Sequence, residues 1–183
     1  MRLALACHPD SPCSAPIRID VEAGRSGSRL SLDFRVTGDN RGLLMSDPAT
    51  PGFRDGLWQH SCFEAFIRAD QGDFYLELNL SPSGEWAAYA FDFYREGMRP
   101  VAPLPALAIA CVRSDSSIEL KSMVDLSGLR ALPAGLSWRL GLSAVVEDVR
   151  GDKSYWALSH PPGAPDFHHK DCFALELPAP GGA

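Results

Sequence analysis

Between Arg29 and Val36 the chain reads RLSLDFRV, so that Leu30, Leu32, Phe34 and Val36 are each separated by one polar residue. A period of two places alternate side chains on opposite faces of an extended strand, whereas a helix repeats every 3.6 residues. The same alternation recurs in IRIDV (17–21), DFYLELNL (73–80), SIELKSMV (117–124) and LSWRLGLSAVV (136–146). Turn-forming stretches separate these runs: AGRSGS, TGDN, QGD, SPSG, SDSS and RGDK. No segment shows a helical apolar stripe, although GLRAL could form one short turn. The pattern predicts an all-β fold, an antiparallel β-sandwich of the jelly-roll kind with about ten strands. Its 183 residues suit one domain, expected over 1–178 with a frayed tail at 179–183. Two longer irregular stretches, 39–54 and 93–105, are the expected places for functional loops.

The richest chemistry lies in DGLWQHSCFEAFI, residues 55–67. Taken as a strand over 58–68, its parity puts Phe63, Ala65 and Ile67 on a core face. Trp58, His60, Cys62, Glu64, Phe66 and Arg68 then share the other face. In the neighbouring runs Tyr75, Glu77 and Asn79 oppose a row of leucines, and Arg139 opposes the side of Trp138. One sheet face would then carry Trp58, His60, Glu64, Glu77, Asn79 and Arg139. Taken singly, each of these charges also fits a solvated sheet surface. An aromatic ring beside planar polar groups suits a sugar or similar polyol, with the ring on its apolar face and the polar groups on its hydroxyls.

A second dense region, YWALSHPPGAPDFHHKDCFALEL (155–177), brings Trp156, His160, His168 and His169. His168 and His169 are adjacent and point apart in an extended chain, so a metal site would need His60, His160, His169 or Cys62 drawn from different segments. The alternative is a rigid loop whose imidazoles satisfy backbone groups. There is no G-x-S-x-G, P-loop or recognisable Cys-His signature, which argues against nucleophilic catalysis. Glu64 and Glu77 could pair as carboxylates for glycoside cleavage, so a small carbohydrate-active enzyme stays open.

A net charge of −6 with no basic stripe argues against nucleic acid, and no apolar run is long enough for a membrane span. Five cysteines without a CxxC pair suggest reduced thiols rather than a disulfide framework. The opening MRLALACHPD has too short an apolar stretch for a secretory core, and Leu3 and Leu5 alternate as in a strand. A cytoplasmic location is expected, with export left open.

GLWQHSCFEAFI, YLELNLSPSGEWAAYAFDFYREGM and YWALSHPPGAPDFHHKDCFALEL together resemble the bacterial DOMON-like proteins related to type-9 carbohydrate-binding modules. The resemblance spans essentially the whole chain and implies an immunoglobulin-like β-sandwich whose relatives bind sugars or haem. It implies Trp58 and Trp156 as two rings that sandwich a sugar, with Glu64 fixing hydroxyls. His60 and Ser61 stand where the sugar binders often carry acidic residues, which bears on sugar specificity and on any structural calcium. The haem-binding relatives use axial Met and His, for which Met45 or Met98 with His60 or His168 would serve here. The expectation is a non-catalytic saccharide-binding domain needing no cofactor. Its ligand residues are Trp58, His60, Glu64, Glu77, Asn79, Arg139, Trp156 and His168. A haem or metal protein is the alternative.

Overall fold

The alternating runs at 17–21, 29–36, 73–80, 117–124 and 136–146 all become strands. In this computed structural model, which describes residues 2–101, 104 and 107–181, thirteen strands follow one another. They are β1 Arg2–Cys7, β2 Ile17–Ser26, β3 Arg29–Gly38, β4 Leu43–Leu44, β5 Cys62–Ala69, β6 Tyr75–Leu80, β7 Trp86–Phe91, β8 Arg99–Pro100, β9 Ala108–Arg113, β10 Ser117–Asp125, β11 Trp138–Asp148, β12 Lys153–Ala157 and β13 Leu175–Leu177. The strands beyond the expected ten include β4, β8 and β13, two or three residues long, too short to show alternation. Among the described residues the helical content is two 3-10 turns, Leu57–Gln59 and Lys170–Cys172, and no helix is long and apolar enough to cross a membrane. GLRAL lies in turns. Residues 102, 103 and 105 of the expected long loop, and 182 and 183 of the expected tail, lie outside the described residues.

The strands pair antiparallel in the order β8-β7-β6-β5-β11-β12-β1-β2-β3-β10-β9, with β4 and β13 also against β11. β1 is where the sheet curls. Its first residues pair with β2, as in Leu5 with Ile19, while Ala6 and Cys7 pair with β12. The two halves therefore share one core, and the rings of Phe34 on β3 and Phe63 on β5 lie 5.1 Å apart. Ile19, Val21, Leu32 and Leu120 enter it from one half, and Ala65, Ile67, Leu78, Leu140 and Leu142 from the other.

The outer faces of the two halves differ. Over β2, β3 and β10 the outward residues form cross-strand ion pairs, Arg35 with Glu119 at 2.6 Å and Lys121 with Asp33 at 3.5 Å. Over β5, β6, β7 and β11 the outer face is also buried. A second apolar cluster there includes Phe66, Tyr75, Phe91, Val145, Phe167 and Phe173. Phe167 and Phe173 come from the segment between β12 and β13, which roofs the sheet. Gly141 on β11 allows that approach: a Cβ at this position would stand 3.0 Å from the Cys172 carbonyl oxygen. The strand expected over 58–68 begins only at Cys62. Gly56, at φ 75°, turns the chain into the 3-10 turn that holds Trp58, and the apparent alternation before Cys62 is not a strand. All five cysteines are free thiols.

Candidate functional site

The roof segment does not close the sheet completely. Between it, the 3-10 turn at Leu57–Gln59 and the loop after β7 lies a cleft of about 730 Å³, within the usual size of a small-molecule site. Five of the eight expected ligand residues line it: Trp58, His60, Glu64, Glu77 and His168. Gln59, Phe66, Phe91, Arg95, Met98, Val145, Lys153, Tyr155, Pro165 and Phe167 complete the wall.

Sheet register builds the floor. Glu64 on β5 stands opposite Asn79 on β6, and Phe66 opposite Glu77. Glu64 and Glu77 are therefore diagonal neighbours on one face of adjacent strands, about 7–8 Å apart in the backbone. Both are buried, at 3% and 5% exposure. The Ser143 hydroxyl donates to Glu64 Oε2 at 3.1 Å, and the Asn79 amide donates to Glu77 Oε1 at 2.7 Å. Asn79 is fully buried beneath the cleft, so it positions Glu77 rather than lining the wall.

Burial, and then the charge of Glu77, push the Glu64 carboxyl well above its ordinary range, against the smaller opposing effect of Ser143. Burial raises Glu77 to about 7, against the lowering influence of Asn79 and Arg95. At mildly acidic pH both carboxyls keep their protons, and each can donate as well as accept.

His168 sits beside this pair. The Arg95 backbone N–H donates to the Tyr75 hydroxyl at 3.1 Å, and the same hydroxyl shares a hydrogen bond with His168 Nδ1 at 2.8 Å. Burial, reinforced by the charge of Arg95, lowers the imidazole to about 4. The ring is then neutral, and its Nε2 lies 3.8 Å from Glu77 Oε2, so this contact is not an ion pair. Asp166 ties the two walls together. It accepts from the Tyr94 hydroxyl, from Arg95 at 2.8 Å and from the His168 backbone N–H at 3.1 Å.

The rim is aromatic and mixed in charge. Trp58 is 49% exposed at the mouth, with Met98 also exposed. His60 Nδ1 meets Glu147 Oε2 at 2.8 Å. Trp58 and His60 thus reach the cleft from a turn rather than from a strand face.

Two of the expected residues lie elsewhere. Trp156 is 7% exposed and packs in the main core, opposite Ala144, with its indole N–H on Ser154. Parity is the reason: β12 turns Trp156 inward and its neighbour Tyr155 outward, opposite Val145 in the cleft. A ring expected one residue later is supplied by Tyr155. Arg139 shares the outer face but pairs with Asp70 at 3.2 Å and Glu176 at 2.9 Å, beyond the ground covered by the roof. The metal candidates are also dispersed. His60 faces Glu147, His160 Nε2 contacts the Ala6 carbonyl at 2.8 Å, and His169 lies 3.6 Å from Asp171. Among the described residues no three His, Cys, Asp or Glu side chains come together as a metal-binding group. Of the two methionines considered as axial ligands, Met98 lines the cleft with His60 and His168, while Met45 packs against the main core.

Arg95, Lys153, Tyr155 and Phe167 were not anticipated. Arg95 takes a left-handed conformation, φ 57°, in the turn after β7, a position that composition does not reveal. Two smaller depressions accompany the cleft. One of about 340 Å³ shares His168 with it, and another of about 670 Å³ lies on the outer face of β2, β3, β9 and β10.

The all-β curled sheet has relatives among solved structures. A protein of Bacteroides uniformis ATCC 8492 proposed to bind carbohydrate superposes with a TM-score of 0.72 at 13% identity, covering 93% of this chain and 83% of that one. A family 9 carbohydrate-binding module (CBM9) from Caldicellulosiruptor kristjanssonii was solved with cellotriose. It gives a TM-score of 0.50 at 10% identity, over 88% of this chain and 75% of that one. The glucose complex of such a module from the same organism gives 0.48 at 10% identity, over 82% and 71%. At these identities the likeness concerns fold. No family model matches the chain, and no curated protein matches it in sequence.

Proposed function

We propose that the chain is a non-catalytic saccharide-binding domain, an immunoglobulin-like β-sandwich of the DOMON-like kind that takes its ligand in the cleft over Glu64 and Glu77. The observation that carries this reading is the half-exposed Trp58 ring at the mouth of a cleft whose floor is a buried cluster of paired polar groups. Trp58 and Tyr155 offer ring faces to the C–H surface of a pyranose. Glu64, Glu77 and the His168 ring take its hydroxyls, with Asn79 and Tyr75 fixing their orientation. The overall likeness to the Bacteroides protein, and to the module solved with cellotriose, supports a saccharide as ligand.

Tryptophan fluorescence tests this. Of four tryptophans, Trp86, Trp138 and Trp156 are buried, so a ligand-dependent change reports on Trp58. Titration with glucose, cellotriose and a wider glycan panel should give a saturable change with at least one saccharide, and Trp58→Phe should abolish it. No response to any sugar class, confirmed by calorimetry, contradicts the proposal. Release of reducing ends on prolonged incubation would instead move the reading to hydrolysis by the carboxyl pair.

A further inference from the structure

Resting on the saccharide reading, we infer that the cleft selects a sugar bearing a free amino group, whose ammonium sits between Glu64 and Glu77. Two acidic side chains on adjacent strands, each at least nine-tenths buried, are costly to keep where apolar residues would pack. Each has one oxygen held by the fold, Glu64 Oε2 by Ser143 and Glu77 Oε1 by Asn79. Glu64 Oε1 and Glu77 Oε2 are left toward the cleft that both residues line.

The basic side chains around the cleft have other partners. Arg95 is bound to Asp166 at 2.8 Å, His60 contacts Glu147, and Lys153 stands opposite Glu147 in the strand register. Among the described residues no Lys or Arg lies within ion-pair distance of either floor carboxyl. Among the described residues no third acid, His or Cys joins them to make a metal-binding group. The floor can therefore take up one organic cation, with one carboxyl losing its proton as the cation enters. Phe66, Phe91 and Tyr155 face the same space, and ring faces attract an ammonium group as carboxylates do. A neutral hydroxyl would satisfy the hydrogen bonds but would leave the doubled acid without a purpose. An ammonium satisfies both, donating to the two free oxygens while one carboxyl gives up its proton.

Calorimetry of the full chain near pH 6, in two buffers of different ionisation enthalpy, tests this. The probes are cellotriose, the β-1,4 trisaccharide of 2-amino-2-deoxyglucose, its N-acetylated form, and putrescine. The amino trisaccharide is expected to bind about tenfold or more tightly than cellotriose or the acetylated form, as a charge-assisted contact allows. Its binding should release a proton that cellotriose does not, counted over the carboxyl pair, His168, His60, Lys153 and Arg95 together. Glu77→Gln should bring its affinity down to that of cellotriose. The wild-type proton count needs no variant, so it stands even if Glu77→Gln fails to fold. Equal affinities for the amino and neutral trisaccharides overturn the inference while leaving the saccharide reading in place. Putrescine binding as tightly as the amino sugar also overturns it. Binding of none of the sugars overturns both.

Discussion

Replacing Glu64 by Gln should remove a pH dependence of stability that the cleft floor builds in. Glu64 and Glu77 are protonated in the folded state and ionised in the unfolded chain above about pH 4.5. Folding therefore takes up a proton at each, and stability falls as pH rises through this region. His168 acts oppositely. Its folded value of about 4 means that between there and about pH 6.5 the unfolded chain holds the extra proton, so stability rises with pH. Between about pH 5 and about pH 6.5 Glu77 and His168 nearly cancel, and the raised Glu64 carboxyl adds an uptake of up to one proton. Each proton corresponds to roughly 1.4 kcal/mol per pH unit. The wild type should then lose up to about 2 kcal/mol across that interval.

Asp39 and Asp148, both held near 2, do not interfere. Depressed carboxylates contribute stability above their unfolded values, and it is lost as pH falls below about 4. Urea unfolding of the wild type and of Glu64→Gln at the two pH values measures the effect. The variant should be nearly flat over the interval. A wild type whose stability rises from pH 5 to 6.5, or a variant that keeps the full slope, refutes the reasoning.

Other outcomes separate the residues that sequence parity confused. Trp156→Ala should cost about 3–5 kcal/mol by denaturant unfolding because the ring is in the core, while Trp58→Ala should change stability by less than about 0.5 kcal/mol and remove the ligand response. Gly141→Val should destabilise by about 1–3 kcal/mol and weaken saccharide binding, since its side chain meets the Cys172 carbonyl and lifts the roof; unchanged unfolding would contradict the close packing. Arg139→Ala should cost less than about 1 kcal/mol and leave saccharide affinity unchanged, as expected for half-exposed ion pairs outside the cleft.

Alternation in RLSLDFRV or DFYLELNL was enough to place strands and core faces, because a period of two has one structural meaning. Glu64, Glu77 and Asn79 were found on one face for the same reason. What the sequence did not carry was the register between strands and the path of the roof. The resemblance implies Trp156 as the second ring; only the pairing of Trp156 with Ala144 shows that β12 turns it inward and Tyr155 outward. Trp58 and His60 line the cleft, but not as residues of a strand face: a left-handed Gly56 and a 3-10 turn bring them there. The roof is set by Gly141 and by Asp166 bridging two distant loops. Contacts between residues 95, 166 and 168 leave no periodic trace.

The central claim, that the cleft over Glu64 and Glu77 is a saccharide site, is tested most directly by mapping amide and indole resonances during a titration with cellotriose and its amino analogue. Shifts should concentrate at the Trp58 indole N–H and at the backbone of residues 58–60, 64, 77, 95, 155 and 168. Shifts gathered instead on the outer face around Glu22, Asp33 and Lys121, or no shifts with any sugar, would contradict it.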